Sequence, residues 1–491
     1  MTAAFDPSRY FAPGVYTQSV TGPQVGIQSS APSSVAIFGA GRGYQIDSQT
    51  VIIPADFTDP NTLIVSAVNS KALRQSGINL ATVIITDVAH GNTYAVQTVP
   101  SPANGDYTLT ATVGPSGIVN GFDSTYQIIR VLGGTLAAAT SVQVSYQYVN
   151  SGYYSPQKLY SFDDVVSLYG KPFDSTGTII SELSMACQFA FINGAQSVIT
   201  VPVQSSNPQI SDYVNALAKF EGFPGISVIV CANGNAAIFP FISSHVDIQS
   251  SLRNERRAIV GTDGSASTIS SSTRISVASG IADSRVALIS PSSVPYYNIS
   301  TSQIQYIGAQ YLAAAVAGIS VSQNPAQPLT RRSIIGFAGI DFAPDQQKSI
   351  ETQAGLMVID SANNNNAIRI RHGVTTDPST LLNREWSILS QQDSMAFRIR
   401  SFFNSGGVIG SIITSLTLTN IKSSAESALQ SLTADGTIQA YQNLAVRQSS
   451  TNLDVVEIAY SWQPSLPLNY IVVRFTLNVT SGDTGSNSTN V

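Results

Sequence analysis

Charge is scarce in this chain: Asp, Glu, Lys and Arg make up 11 % of its 491 residues, against a usual share of about 25 %. A surface so weakly charged repels its neighbours little and suits extensive self-contact. The small imbalance is acidic, 29 Asp and Glu against 24 Lys and Arg. That sign is wrong for neutralising phosphates, so no nucleic-acid partner is expected. The two cysteines, Cys187 and Cys231, each sit in an apolar run, which excludes a cross-linked scaffold and reads as reduced core thiols. The three histidines, His90, His245 and His372, are widely separated. None has the His-x-x-x-His or Cys-x-x-Cys spacing that holds zinc, so no metal is expected.

Long apolar runs are missing too. The best candidate, residues 307–321, is interrupted by Gln310 and too short to span a bilayer. Residues 1–14 carry no apolar stretch of the kind that opens a secretory signal. The reading is therefore of a chain without signal peptide or membrane insertion. Catalytic signatures are equally thin. There is no Gly-x-Ser-x-Gly elbow and no Gly-x-x-x-x-Gly-Lys-Ser/Thr loop. Asp483-Thr484-Gly485 matches one half of an aspartic-protease site but stands alone in a polar tail, where two such loops are needed. Gly39-Ala40-Gly41-Arg42-Gly43 follows an apolar strand, yet residues 44–54 lack the helix start that a phosphate cradle requires. It reads as a turn. The expectation is no catalytic residue, no cofactor and no enzyme, with a nucleotide-binding α/β enzyme as the less favoured alternative.

What is present is ample apolar material, 43 % of residues, enough for two to four packed units. Residues 1–34 are rich in Pro, Gly, Ser and Gln and read as an extended N-terminal arm. Residues 35–50 and 156–329 alternate apolar strands (35–38, 197–203, 226–231, 258–261, 286–289) with helical patterns (161–169, 179–191, 211–220). That alternation predicts an α/β body domain with a largely parallel sheet. Helix 179–191 is expected to bury Ile179, Ile180, Leu183, Cys187 and Phe191. Between the two parts, residues 51–155 are β-branched and alternating, with turn signals at Asn104-Gly105 and Gly133-Gly134, and read as an inserted β domain. Residues 330–463 return to mixed elements, with strands at 356–360 and 367–372 and helices at 390–403 and 421–432, and read as a separate α+β unit. The fold class expected is a multidomain α/β and α+β body, with an inserted all-β sandwich- or barrel-like domain and extended N- and C-terminal arms.

The cleanest pattern lies near the end. Within residues 464–479, the stretch 470–479 places Ile471, Val473, Phe475, Leu477 and Val479 at strict period two, so one face of a strand asks to be buried. Residues 480–491 form a polar tail. Five apolar side chains at about 1.5–3 kcal/mol each would supply about 8–15 kcal/mol before the entropy of ordering the segment. A strand of this kind outside a recognisable domain suits addition to a neighbour's sheet. Arginine dominates the basic residues, with Arg256-Arg257, Arg331-Arg332, Arg369/Arg371 and Arg398/Arg400 as pairs. Solvated charge is the commoner fate of any one pair. As a set in a charge-poor chain they are candidates for subunit or partner contacts.

The two ends bring these readings together. Ala12-Pro13-Gly14-Val15-Tyr16, Val35-Ala36-Ile37-Phe38-Gly39 with Arg42-Gly43, and Ser161-Phe162-Asp163-Asp164 running to Tyr169-Gly170 follow one another in order. Phe189, Phe191, Asn193 and Gly194, then Gln463-Pro464-Ser465-Leu466-Pro467 leading into 471–475, complete the series. In this order the segments resemble contractile tail sheath proteins of bacteriophages and related injection systems. The resemblance implies hexameric rings stacked as a helical polymer around an inner tail tube, contracting to drive the tube through the host envelope. It implies other copies of the chain, the inner tail tube protein, and baseplate and tail terminator proteins as partners. It also implies a place in the virion tail, with assembly in the host cytoplasm. Pro13, Gly14, Val15 and Tyr16, with Ile471, Val473, Phe475, Leu477 and Val479, would carry inter-subunit linkage. Arg369, Arg371, Arg398 and Arg400 would face the tube or a neighbouring subunit. The β insert departs from the minimal sheath plan and is expected on the outside. Another self-assembling shell or surface-layer protein is the alternative.

Overall fold

The computed structural model describes residues 33–41, 45–52, 78–89, 91, 93–94, 107–112, 125–130, 141–148, 151–203, 208–361, 367–405 and 410–475. The N-terminal positions Pro13, Gly14, Val15 and Tyr16, and the distal Leu477 and Val479, lie outside the described residues.

Short runs of Val, Ile and Ala build the centre. Nine strands form one sheet, in spatial order Ser333–Ile334, Ile368–Ile370, Leu356–Ser361, Val286–Ser290, Arg257–Gly261, Ile226–Cys231, Ser34–Gly39, Val198–Pro202 and Gln157–Leu159. The six inner strands run parallel, and the outermost pairings are antiparallel. The inner strands read as unbroken apolar runs because both faces are covered. Val35, Ile37, Val228, Val230, Ile259 and Ile289 point to one core, shared with helices Glu182–Ile192 and Ala309–Ser322. Their neighbours Ala36, Phe38, Ile229, Cys231, Ala258 and Val260 point to the other, with helices Ile210–Ala218, Phe239–Ser251 and Ser271–Ile281. Cys187 and Cys231 are both buried free thiols. They fall in different cores, separated by the sheet.

The helix expected at 179–191 begins later, at Glu182, because the Ser181 hydroxyl accepts the Ser184 N–H at 3.2 Å and caps its first turn. Ile180 is left exposed, and Leu183, Met185, Ala186 and Cys187 are all buried. The helix is wedged between the sheet and helix Ala309–Ser322, so it has no single apolar face. The two helices touch backbone to backbone: a Cβ on Gly318 would lie 2.3 Å from the Ala190 carbonyl oxygen.

Two expected boundaries move. Strand Gln45–Ile52 pairs antiparallel along its whole length with Ser141–Tyr148, so residues 45–50, expected with the body domain, pair instead with the segment expected as a β insert from residue 51. Its described strands form a four-stranded antiparallel sheet, in the order Gln45–Ile52, Ser141–Tyr148, Ile78–Asp87, Thr93–Tyr94, and a separate ladder of Tyr107–Thr112 with Thr125–Arg130. The expected break at residue 330 falls inside the main sheet, because Ser333–Ile334, Leu356–Ser361 and Ile368–Ile370 are hydrogen-bonded onto it. The C-terminal unit instead consists of helices Trp386–Ser405 and Ser415–Ala434 and the hairpin Ile438–Gln448 with Val456–Pro464. Met395, Leu429, Leu432 and Ile438 form its small core.

Ion pairs fasten this unit to the sheet. Asp393 accepts hydrogen bonds from Arg285 at 3.1 Å and faces the Arg257 Nε at 3.3 Å. Arg257 also lies over the Trp386 ring, 4.6 Å from its centroid.

Candidate assembly surfaces

The chain leaves the hairpin at Pro464 and keeps hold of the body for six residues by polar contacts. Buried Gln391 accepts the Ser465 N–H at 2.8 Å and donates to the Ser465 carbonyl at 3.0 Å. Asn469 donates to Glu385 at 3.1 Å and accepts from the Thr330 hydroxyl at 3.3 Å. The same Glu385 carboxylate meets His372 Nε2 at 2.8 Å, and the His372 ring packs edge-on against Tyr470. Beyond Tyr470 the anchoring stops. Ile471, Val472 and Val473 are each 78 % exposed and Phe475 is 89 % exposed. Leu466 and Leu468 are also exposed.

Residues 465–475 carry no regular secondary structure and no strand partner among the described residues. The alternating pattern had asked for one buried face, whereas within a single chain neither face is covered. Large apolar surface of this extent marks an interaction site. Burying Ile471, Val473 and Phe475 alone would contribute about 5–9 kcal/mol before ordering costs.

A second surface is the hairpin that precedes this segment. It is a two-stranded sheet of its own, so among the described residues both of its outer edges carry unpaired backbone groups. Ile438 packs one end into the helical core, and Tyr441 faces Trp462 across the ladder. The register slips between Gln442 and Ala445, where Asn443 takes φ 56°, a bulge conformation that Asn tolerates better than most residues.

The four arginines expected to face a partner are engaged inside the chain. Arg369 Nε lies 3.0 Å from Asp360. Arg371 makes two bonds to Asp345, at 2.6 and 3.2 Å. The hydrogen bonds and charge of Arg371 hold the Asp345 carboxyl below its ordinary range. Arg398 pairs with Asp435, and Arg400 with Glu255. Their guanidiniums therefore cross-brace the sheet edge and the C-terminal unit, and any outward role is shared with that task. Arg256 and Arg257 are buried. Arg256 donates to the Phe220 carbonyl at 2.9 Å, the Phe223 carbonyl at 3.1 Å and the Asn254 carbonyl at 3.2 Å. The signal for this was their position at the head of an apolar strand. Gln391, Glu385 and Asp393 root the terminal segment and the helical unit but carry no motif in the sequence.

The glycine turn after the first strand is held by internal contacts. The Ala40 N–H donates to Glu182 at 3.3 Å, and the Ala40 carbonyl accepts the Leu183 N–H at 3.0 Å. A carboxylate thus stands where a cradled phosphate would need positive charge. Burial raises the Glu182 carboxyl, opposed by hydrogen bonds from Ala40, Tyr213 and Asn233. His245 and His372 are buried and hydrogen-bonded, and His90 lies outside the described residues. Among the described residues no three His, Cys, Asp or Glu side chains are grouped to hold a metal ion, and no helix is long and apolar enough to cross a membrane.

No protein-family model matches the chain. It is 35 % identical to the tail sheath protein of Mycobacterium phage Bxz1, over 98 % of each chain. Its fold is similar to the contracted helical sheath of the anti-feeding prophage, with TM-score 0.53 and 13 % identity over 67 % of this chain and 90 % of that one. It is likewise similar to the contracted sheath of the extracellular contractile injection system PVC, with TM-score 0.51 and 13 % identity over 67 % and 89 % of the two chains. A sheet body that leaves its last apolar segment uncovered is what a polymerising subunit needs, and with these likenesses the chain belongs to the tail sheath proteins, as a structural subunit of a contractile sheath.

Proposed function

We propose that this subunit assembles as stacked hexameric rings around an inner tail tube, and that copies are joined by residues 471–479 of one chain adding to the sheet of another. The observation that carries the linkage is the exposed segment Ile471, Val472, Val473 and Phe475, rooted by Gln391 and Glu385. The acceptor we infer is the hairpin Ile438–Gln448 with Val456–Pro464, since an added strand would satisfy one of its open edges and cover its apolar partner at once. Residues 13–16 would serve as a second link at the other end.

In this reading the sheet body is the rigid part and the segment after Tyr470 the tether. A linked polymer can then pass between two packings without its cores deforming. The energy for contraction would be stored at assembly, with no nucleotide consumed. The β insert, residues 45–148, would face outward. Contacts with the tube, the baseplate and the tail terminator belong to the same proposal, as does assembly in the host cytoplasm before the sheath joins the virion.

The test is the triple substitution Ile471→Asp, Val473→Asp and Phe475→Asp in the full chain. Sedimentation and electron microscopy should find a folded subunit that forms no tubes. Tubes of normal length and yield from this variant would overturn the linkage.

A further inference from the structure

We propose that the pocket at the root of the C-terminal segment is a socket for a carboxylate side chain of a second copy of this chain. The proposal rests on the reading that copies join through the segment beyond Tyr470. The pocket has a volume of about 440 Å³ and is walled by Arg331, Asp360, Arg369 and Arg371 on the sheet side and by Asn469 and Tyr470 on the other. Two guanidiniums face one carboxylate there, and a third arginine, Arg331, lines the same pocket. Asp360, 4 % exposed, already accepts from Arg369 at 3.0 Å and Arg371 at 3.5 Å, and Arg371 is further held by Asp345.

Arg331 is the one left over. Its backbone is pinned by an N–H bond to the Ile370 carbonyl at 2.7 Å and takes φ 64°. Its side chain is exposed and has no hydrogen bond or ion pair among the described residues. A guanidinium on a fixed root, beside two that are already paired, is matched in shape and charge to one incoming carboxylate.

The chain supplies such carboxylates. Its net charge is −5, and Glu221, Glu426 and Asp454 are exposed with no ion pair among the described residues. Tyr470, in the pocket wall, directly precedes the uncovered Ile471. A copy that covers residues 471–475 is thereby brought against the socket.

The test uses tubes assembled from an equal mixture of ¹⁴N- and ¹⁵N-labelled Arg331→Lys protein, coupled with a carbodiimide that joins amines to adjacent carboxylates. The expected result is a mixed-isotope peptide pair linking position 331 to an Asp or Glu of another copy. Links from position 331 confined to its own chain, or absent, overturn the proposal. Arg331→Glu should raise the lowest concentration that supports assembly by about tenfold in low salt, an effect that shrinks as salt screens the charge. An unchanged threshold overturns it as well. If tubes still form with Ile471→Asp, Val473→Asp and Phe475→Asp together, the linkage reading fails, and the cross-link is read independently in tubes of that variant also carrying Arg331→Lys.

Discussion

Removing the charge of Asp393 should loosen the C-terminal unit from the sheet. This carboxylate accepts three hydrogen bonds from Arg285, all at 3.1 Å, and stands 3.3 Å from Arg257 Nε. The side chains of Asp393 and Arg257 are 11 % and 6 % exposed. Burial pushes the Asp393 carboxyl upward, while the charges of Arg257 and Arg285 pull it down. Asp393→Asn keeps the volume and deletes the charge, leaving two guanidiniums facing each other without an anion. Breaking a buried pair from one side costs about 3–5 kcal/mol. At a urea dependence of about 1–3 kcal/mol/M, the unfolding midpoint should fall by about 1 M or more. Fluorescence is the natural probe, because the two tryptophans, Trp386 and Trp462, lie on the first helix and on the hairpin of the affected unit. Replacing the cluster together, Asp393→Leu with Arg257→Met and Arg285→Leu, should recover most of the loss, since a buried ion pair and a packed apolar substitute are near break-even. An Asp393→Asn variant within about 1 kcal/mol of the parent would refute the reasoning.

His245 should make the subunit acid-sensitive over a defined window. Burial, and then the Arg256 charge, lower its pKa to about 4 from 6.5, so it folds neutral. Its contribution is full above pH 6.5 and is lost as pH falls from 6.5 to 4, at most about 3 kcal/mol. Urea midpoints measured across that range should lose much of their slope in His245→Gln. At the helix contact, Gly318→Ala would set a methyl 2.3 Å from the Ala190 carbonyl oxygen, and the forced separation should cost about 1–3 kcal/mol in thermal or urea unfolding. Ser181→Ala removes the cap of helix Glu182–Ile192 and should cost about 1 kcal/mol, read in the same way.

The centre of this fold was legible because its physics is local. Val35 to Phe38, Ile226 to Cys231 and Val286 to Ile289 are apolar at every position or nearly so, which only a strand covered on both faces explains. The helical pattern expected at 161–169 is met by helix Phe162–Tyr169, whose start Ser161 and Asp164 close with a full reciprocal cap. The period of two at 471–479 asked for a strand with one buried face, and within one chain the described residues 471–475 have neither. What was hidden depends on partners distant in sequence. Strands of two and three residues at Ser333–Ile334 and Ile368–Ile370 carry too short a pattern to join to a sheet by eye. The hairpin Ile438–Gln448 with Val456–Pro464 breaks its own alternation at two register shifts. The arginine pairs look alike as letters, but Arg256 is fixed by carbonyls of Phe220 and Phe223 and Arg400 by Glu255. Only the fold brings those groups within reach.

Where residues 471–475 go when copies assemble decides whether copies are linked by strand addition. Cryo-electron microscopy of tubes grown from the purified protein answers this directly. The expected density shows Ile471, Val473 and Phe475 as a strand hydrogen-bonded along an edge of another copy's Ile438–Gln448 and Val456–Pro464 hairpin, with their side chains covered. Tubes in which this segment folds back on its own chain, or stays uncovered while the bodies alone make the contacts, would contradict it.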